Sequence, residues 1–97
     1  MSNISVLLVD DHNIVRQGLV ALLQTVPDFV VVAEASDGRQ AVELFREHKP
    51  DITLMDLRLD KMNGVDAIGR IRSDFPQARI IVSAGCISSV LSFRGDP

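Results

Sequence analysis

The 97-residue sequence predicts an α/β fold, a parallel sheet with helices packed on both faces. Short β-branched apolar runs recur along the chain, of the length expected for strands buried on both faces. Between them lie stretches of roughly ten residues whose apolar positions repeat at three- and four-residue steps, the period of a helix. Acidic residues follow two of the runs: Asp10 and Asp11 after the first, Asp56 after a later one. Strands alternating with helices call for right-handed crossovers, which bring the strand ends to one side of the sheet.

Ile4 to Val9 is apolar except at Ser5 and reads as the first strand. Over residues 13–26, Val15, Leu19, Leu22, Leu23 and Val26 line one helical face, and Pro27 bars continuation. Phe29 to Ala35, with Val30, Val31 and Val32, is a second strand. Ser36-Asp37-Gly38 breaks it, and Asp37 with Gln40 resembles a capping box for a helix carrying Ala41, Val42, Leu44 and Phe45 inward. Lys49-Pro50 closes that helix, and residues 52–55 form the third strand. Asn63-Gly64 marks a loop, Val65, Ile68 and Ile71 continue at helical spacing toward Phe75-Pro76, and residues 80–82 start a fourth strand.

Composition narrows the function. Ten basic against thirteen acidic residues give a net charge of −3. Divided at Pro50, the balance is four basic to seven acidic, then six to six, so neither part is a basic nucleic-acid footprint. The lone Cys86 excludes an intramolecular disulfide. The first apolar run is too short for a signal peptide or membrane span, so a cytoplasmic chain with no membrane contact is expected.

In open parallel sheets, sites form beyond the carboxyl ends of the strands, where the connections diverge. Asp10, Asp11 and Asp56 would meet there. Such a cluster repels itself unless a cation occupies it, and for hard oxygen donors the natural cation is Mg²⁺. Asp56 would accept a phosphoryl group on a carboxylate oxygen. Asp11 and Asp56, with a backbone carbonyl near Arg58, would hold the ion, and Asp10 would contribute through a bound water. Taken singly, each of these acids could instead cap a helix or sit in an ordinary loop.

Residues Val6-Leu7-Leu8-Val9-Asp10-Asp11-His12, Val15-Arg16-Gln17-Gly18-Leu19, Leu54-Met55-Asp56-Leu57-Arg58-Leu59 and Met62-Asn63-Gly64 together resemble a response-regulator receiver (CheY-like) domain. The nearest likeness is the NarL/FixJ subgroup, whose receivers precede a LuxR-type helix-turn-helix. The resemblance implies a flavodoxin-like, five-stranded sheet in the order 2-1-3-4-5. It implies Asp56 as phosphoacceptor, Asp10 and Asp11 as the acidic pair, and a sensor histidine kinase as phosphodonor. The chain itself would not be an enzyme beyond its own phosphorylation. With the helix-turn-helix absent, no nucleic-acid binding by this chain alone is expected.

The chain also departs from that pattern. Asp60 stands where receivers have Pro. The hydroxyl expected at the end of the fourth strand falls on Ala84, with Ser83 one residue early as the candidate for binding the phosphoryl group. A one-residue slip aims a strand side chain at the wrong face unless a bulge corrects it. No lysine follows the fourth strand; the lysines are Lys49 and Lys61. Residues 1–83 therefore read as an incomplete receiver whose last βα unit is missing or replaced, and residues 84–97 as a divergent tail. That tail fits a strand, a helical face or no structural role. An uncovered fourth strand and first helix would favour a homodimer, segment-swapped through the tail. Two functions follow: a receiver that switches on Asp56 phosphorylation, or a truncated, switch-deficient receiver acting as a dimerisation module. A small-molecule phosphotransferase fits less well, because Arg58 stands where such enzymes commonly carry a second Asp.

Overall fold

A computed structural model describes residues 3–56 and 64–83. The elements run β1 (Ile4–Val9), α1 (Asn13–Gln24), β2 (Phe29–Ala35), α2 (Gly38–His48), β3 (Ile52–Asp56), α3 (Gly64–Asp74) and β4 (Ile80–Ser83). All strand pairs are parallel, in the order β2-β1-β3-β4. From β1 the chain moves outward to β2, and from β3 it moves the opposite way to β4, so the topological switch point lies between β1 and β3.

Side-chain alternation sorts the apolar residues into two layers. Leu7, Val9 and Met55 pack against Ala41, Val42 and Phe45 of α2 and Ala67 and Ile71 of α3. Val6, Leu8 and Leu54 pack against Leu19 and Leu23 of α1 on the other face. Helices thus cover both faces, and truncating a fully buried residue such as Leu7 to Ala would cost about 2–5 kcal/mol.

The β1–β2 register contains a shift that reassigns these faces. Val6 pairs with Val31, but Leu7 pairs with Ala33, leaving Val32 as an extra residue. Before the bulge Phe29 and Val31 join the α1 layer, and after it Ala33 and Ala35 join the α2–α3 layer. The same step pairs Glu34 with Leu8, a member of the α1 layer.

Element ends have local causes. α1 stops at Gln24, short of the expected residue 26, because Thr25 Oγ1 donates to the Leu22 carbonyl at 2.6 Å and the Val26 amide turns back to the Leu23 carbonyl. Asp37 caps α2 by accepting the Gln40 amide at 2.8 Å. The return bond differs from a standard capping box: Gln40 Oε1 accepts the amide of Ser36, one residue before the cap, at 2.9 Å. Lys49 closes α2 in the left-handed conformation, φ 45°, its amide donating to the Phe45 carbonyl.

At the amino ends of the strands, Asp51 Oδ2 accepts the Ser5 amide at 2.8 Å and the Ser5 hydroxyl at 3.1 Å, and the Asp51 amide donates to Ser5 Oγ at 2.9 Å. These bonds hold the Asp51 carboxyl below its ordinary range, led by the backbone amide, with the Arg79 charge adding a smaller pull. β4 forms one margin of the described sheet, and Val82 on it is 46% exposed. Residues 84–97, and with them the expected tail and segment swap, lie outside the described residues. Among the described residues no helix is long and apolar enough to cross a membrane.

Candidate metal and phosphoacceptor site

The parallel sheet brings the carboxyl ends of β1 and β3 side by side, with Val9 paired to Met55. Asp10 continues β1 by one step, its amide donating to the Ala35 carbonyl at 3.0 Å. Asp56 is the last residue of β3, one residue beyond the expected strand end. Asp10 and Asp56 are 2% and 1% exposed, an unusual burial for carboxylates. One ligand atom each from Asp10, Asp11, His12 and Asp56 fall within 4.8 Å of one another. The three expected acids therefore converge at the switch point, as the alternation of elements required.

The helix-capping alternative is also realised, in part. Asp10 Oδ1 accepts the His12 amide at 2.8 Å, and His12 is the N-cap of α1 without a side-chain cap of its own. One carboxylate oxygen thus secures the start of the helix while the residue stays in the cluster. The His12 ring is 60% exposed, yet its Nδ1 lies 3.3 Å from Asp10 Oδ1 and 2.9 Å from Asp11 Oδ1. A place next to the acidic pair allows a ligand or proton-carrying role, and a solvent-facing helix-start residue is the simpler expectation; the ring is exposed and also touches both acids.

Asp11 supplies the test of fit for a cation. Its Oδ1 is buried and makes no hydrogen bond among the described residues; the His12 ring lies beside it, with Nδ1 at 2.9 Å. A buried carboxylate oxygen left this way costs free energy unless a cation or water completes it. Hard oxygen donors from Asp10, Asp11 and Asp56 suit Mg²⁺.

Arg16 is the contributor that apolar periodicity passes over. Its Nη1 donates to the Asp10 carbonyl at 2.6 Å, its Nη2 to Asn13 Oδ1 at 2.7 Å and its Nε to Glu34 Oε1 at 3.1 Å. The Asn13 contact is a local i,i+3 relation that could have pointed to it; the Glu34 contact is made across the fold. In the β3–β4 register Ser83 is the partner of Asp56. Arg58, the expected source of a carbonyl ligand, lies outside the described residues, as do Asp60 and Lys61.

Comparison with known proteins gives a consistent set of likenesses. The family described as response regulator receiver domain matches residues 6–89. The response regulator protein VraR of Staphylococcus aureus is 41% identical over 91 residues, 94% of this chain and 44% of that protein. The chain thus spans less than half the length of this curated relative. A two-component response regulator of the LuxR family from Aurantimonas sp. SI85-9A1 superposes with a TM-score of 0.80 at 44% identity, covering 84% of this chain and 58% of that one. A chain of the CheX–CheY–BeF3–Mg²⁺ complex from Borrelia burgdorferi superposes with a TM-score of 0.79 at 28% identity, over 84% of this chain and 61% of that one.

Proposed function

Because the chain belongs to the response-regulator receiver family of two-component systems, we propose that it accepts a phosphoryl group on Asp56 from a sensor histidine kinase, with Mg²⁺ in the acidic cluster. The observation that carries this reading is the convergence of Asp10, Asp11 and the buried Asp56 at the carboxyl ends of β1 and β3.

In the proposed step an Asp56 carboxylate oxygen attacks the phosphorus of a phosphohistidine. The phosphorus–nitrogen bond breaks, its electron pair stays on the imidazole, and an acyl phosphate forms on Asp56. Asp10, Asp11 and Asp56, with the carbonyl of Arg58, would hold the ion, which offsets charge on the transferring group and aligns it. The Mg²⁺ named in the Borrelia complex belongs to that assembly and supports the choice of ion. Ser83, the register partner of Asp56, would offer its hydroxyl to the phosphoryl oxygens.

One observation favours the alternative of a receiver that pairs without switching. Among the described residues the one lysine, Lys49, caps α2 ahead of the amino end of β3, whereas Asp56 stands at the carboxyl end of that strand. The deciding experiment incubates the chain with Mg²⁺ and a small phosphodonor and reads intact mass and sedimentation. One phosphoryl adduct with a changed association state is expected. An adduct with unchanged association would favour the non-switching module, and no adduct on a folded chain would overturn phosphoacceptance.

A further inference from the structure

We propose that Arg16 is a positioning residue for the acidic pair, and that it acts by fixing the peptide between Asp10 and Asp11. The proposal rests on the reading of the cluster as a Mg²⁺ site. The Asp10 carbonyl belongs to the peptide from which Asp11 departs, so its direction governs where the Asp11 carboxylate points. Arg16 Nη1 holds that carbonyl at 2.6 Å, from a side chain only 16% exposed. The guanidinium is held in turn by Asn13 in the first turn of α1 and by Glu34 of β2. One planar fork thus ties the end of β1, the start of α1 and the neighbouring strand, a task suited to arginine and not to lysine.

Two features make this more than a surface ion pair. The bulge at Val32 brings Glu34 to the face on which α1 lies. Glu34 also offsets the arginine charge, so the guanidinium serves the backbone carbonyl instead of competing with a metal ion for the acidic pair. Asp10 then presents its carboxylate to the His12 amide, and Asp11 keeps a buried oxygen without a hydrogen bond. The turn is held at its backbone carbonyl, leaving the two carboxylates with the His12 amide and ring as their neighbours in the turn.

The test is a sign. Arg16 is a cation near a cation site, so if it acts through charge alone, Arg16→Gln tightens Mg²⁺ binding and Arg16→Lys leaves it unchanged. Positioning requires that both weaken it, by about tenfold or more, the range typical of groups that orient metal ligands. Mg²⁺ titration of the full chain by calorimetry, with thermal melts of each variant, reads both quantities; Arg16→Lys keeps the charge and stem should Arg16→Gln fold poorly. Faster amide exchange at Asp11 and His12 in metal-free Arg16→Lys is the second expected result. Lowered melting with native Mg²⁺ affinity would mean a structural role only and would overturn the proposal. Absence of Mg²⁺ binding by the native chain would overturn the metal-site reading first, and the positioning role with it.

Discussion

Replacing Asp11 with Asn is expected to stabilise the metal-free protein while removing its response to Mg²⁺. Asp11 shares the cluster with Asp10 and Asp56, with ligand atoms within 4.8 Å. Two like charges at that distance repel by about 3.5 kcal/mol at an effective dielectric of about 20, and by about 0.9 kcal/mol in bulk water. Asp11 is 15% exposed and its Oδ1 is buried, so the operative value lies between these limits and is screened further by salt. Asn keeps the shape, removes the charge and adds a donor that the neighbouring carboxylates can accept. A net gain of about 2 kcal/mol follows, after allowance for the lost His12 contact. With no Trp or Tyr in the chain, urea unfolding is best followed by far-ultraviolet circular dichroism. At a slope of about 2 kcal/mol per molar the midpoint in EDTA rises by about 1 M. Adding Mg²⁺ should raise the native midpoint, by mass action on the folded state, and leave the variant unmoved. A variant less stable than the native chain in EDTA would refute the repulsion argument, and one that still gained from Mg²⁺ would refute the role of Asp11 as a ligand.

Two further substitutions test the scaffold. Thr53 is fully buried, pairs in register with Leu7 and Ile80 of the α2–α3 layer, and has a hydroxyl with no hydrogen-bond partner among the described residues. Thr53→Val should therefore raise stability by about 1–2 kcal/mol in urea melts, and a loss would mean that the hydroxyl is satisfied. The Asp51 carboxyl lies below its ordinary 3.8, because the Ser5 amide and hydroxyl favour its ionised form. Its folded pKa is depressed, so its contribution is present above 3.8 and is lost as pH falls toward the folded value. Asp51→Asn should flatten the acid limb of stability against pH, and equal limbs in both proteins would contradict the assignment.

Some of this architecture was legible in residues and some was not. Strands covered on both faces read as continuous apolar runs, so β1, β2, β3 and β4 stood out. A parallel sheet collects carboxyl ends, so Asp10, Asp11 and Asp56 could be joined from the residue pattern alone. The bulge at Val32 was not legible, because Val30, Val31 and Val32 present the same surface in either register and cannot mark where it slips. Arg16 escaped for a related reason. Its partner Glu34 is separated from it by 18 positions and reaches it only through that bulge. The His12 contact depends on the backbone path of the β1–α1 turn, which apolar periodicity does not encode.

The central claim is that the phosphoryl group resides on one residue, Asp56. Borohydride reduction of the phosphorylated chain, followed by peptide mass mapping, converts an acyl phosphate to the corresponding alcohol and marks its position. The account predicts homoserine at position 56, dependent on Mg²⁺ and absent from Asp56→Asn. A reduced residue at Asp10 or Asp11, or a phosphoryl adduct that survives Asp56→Asn, would contradict it.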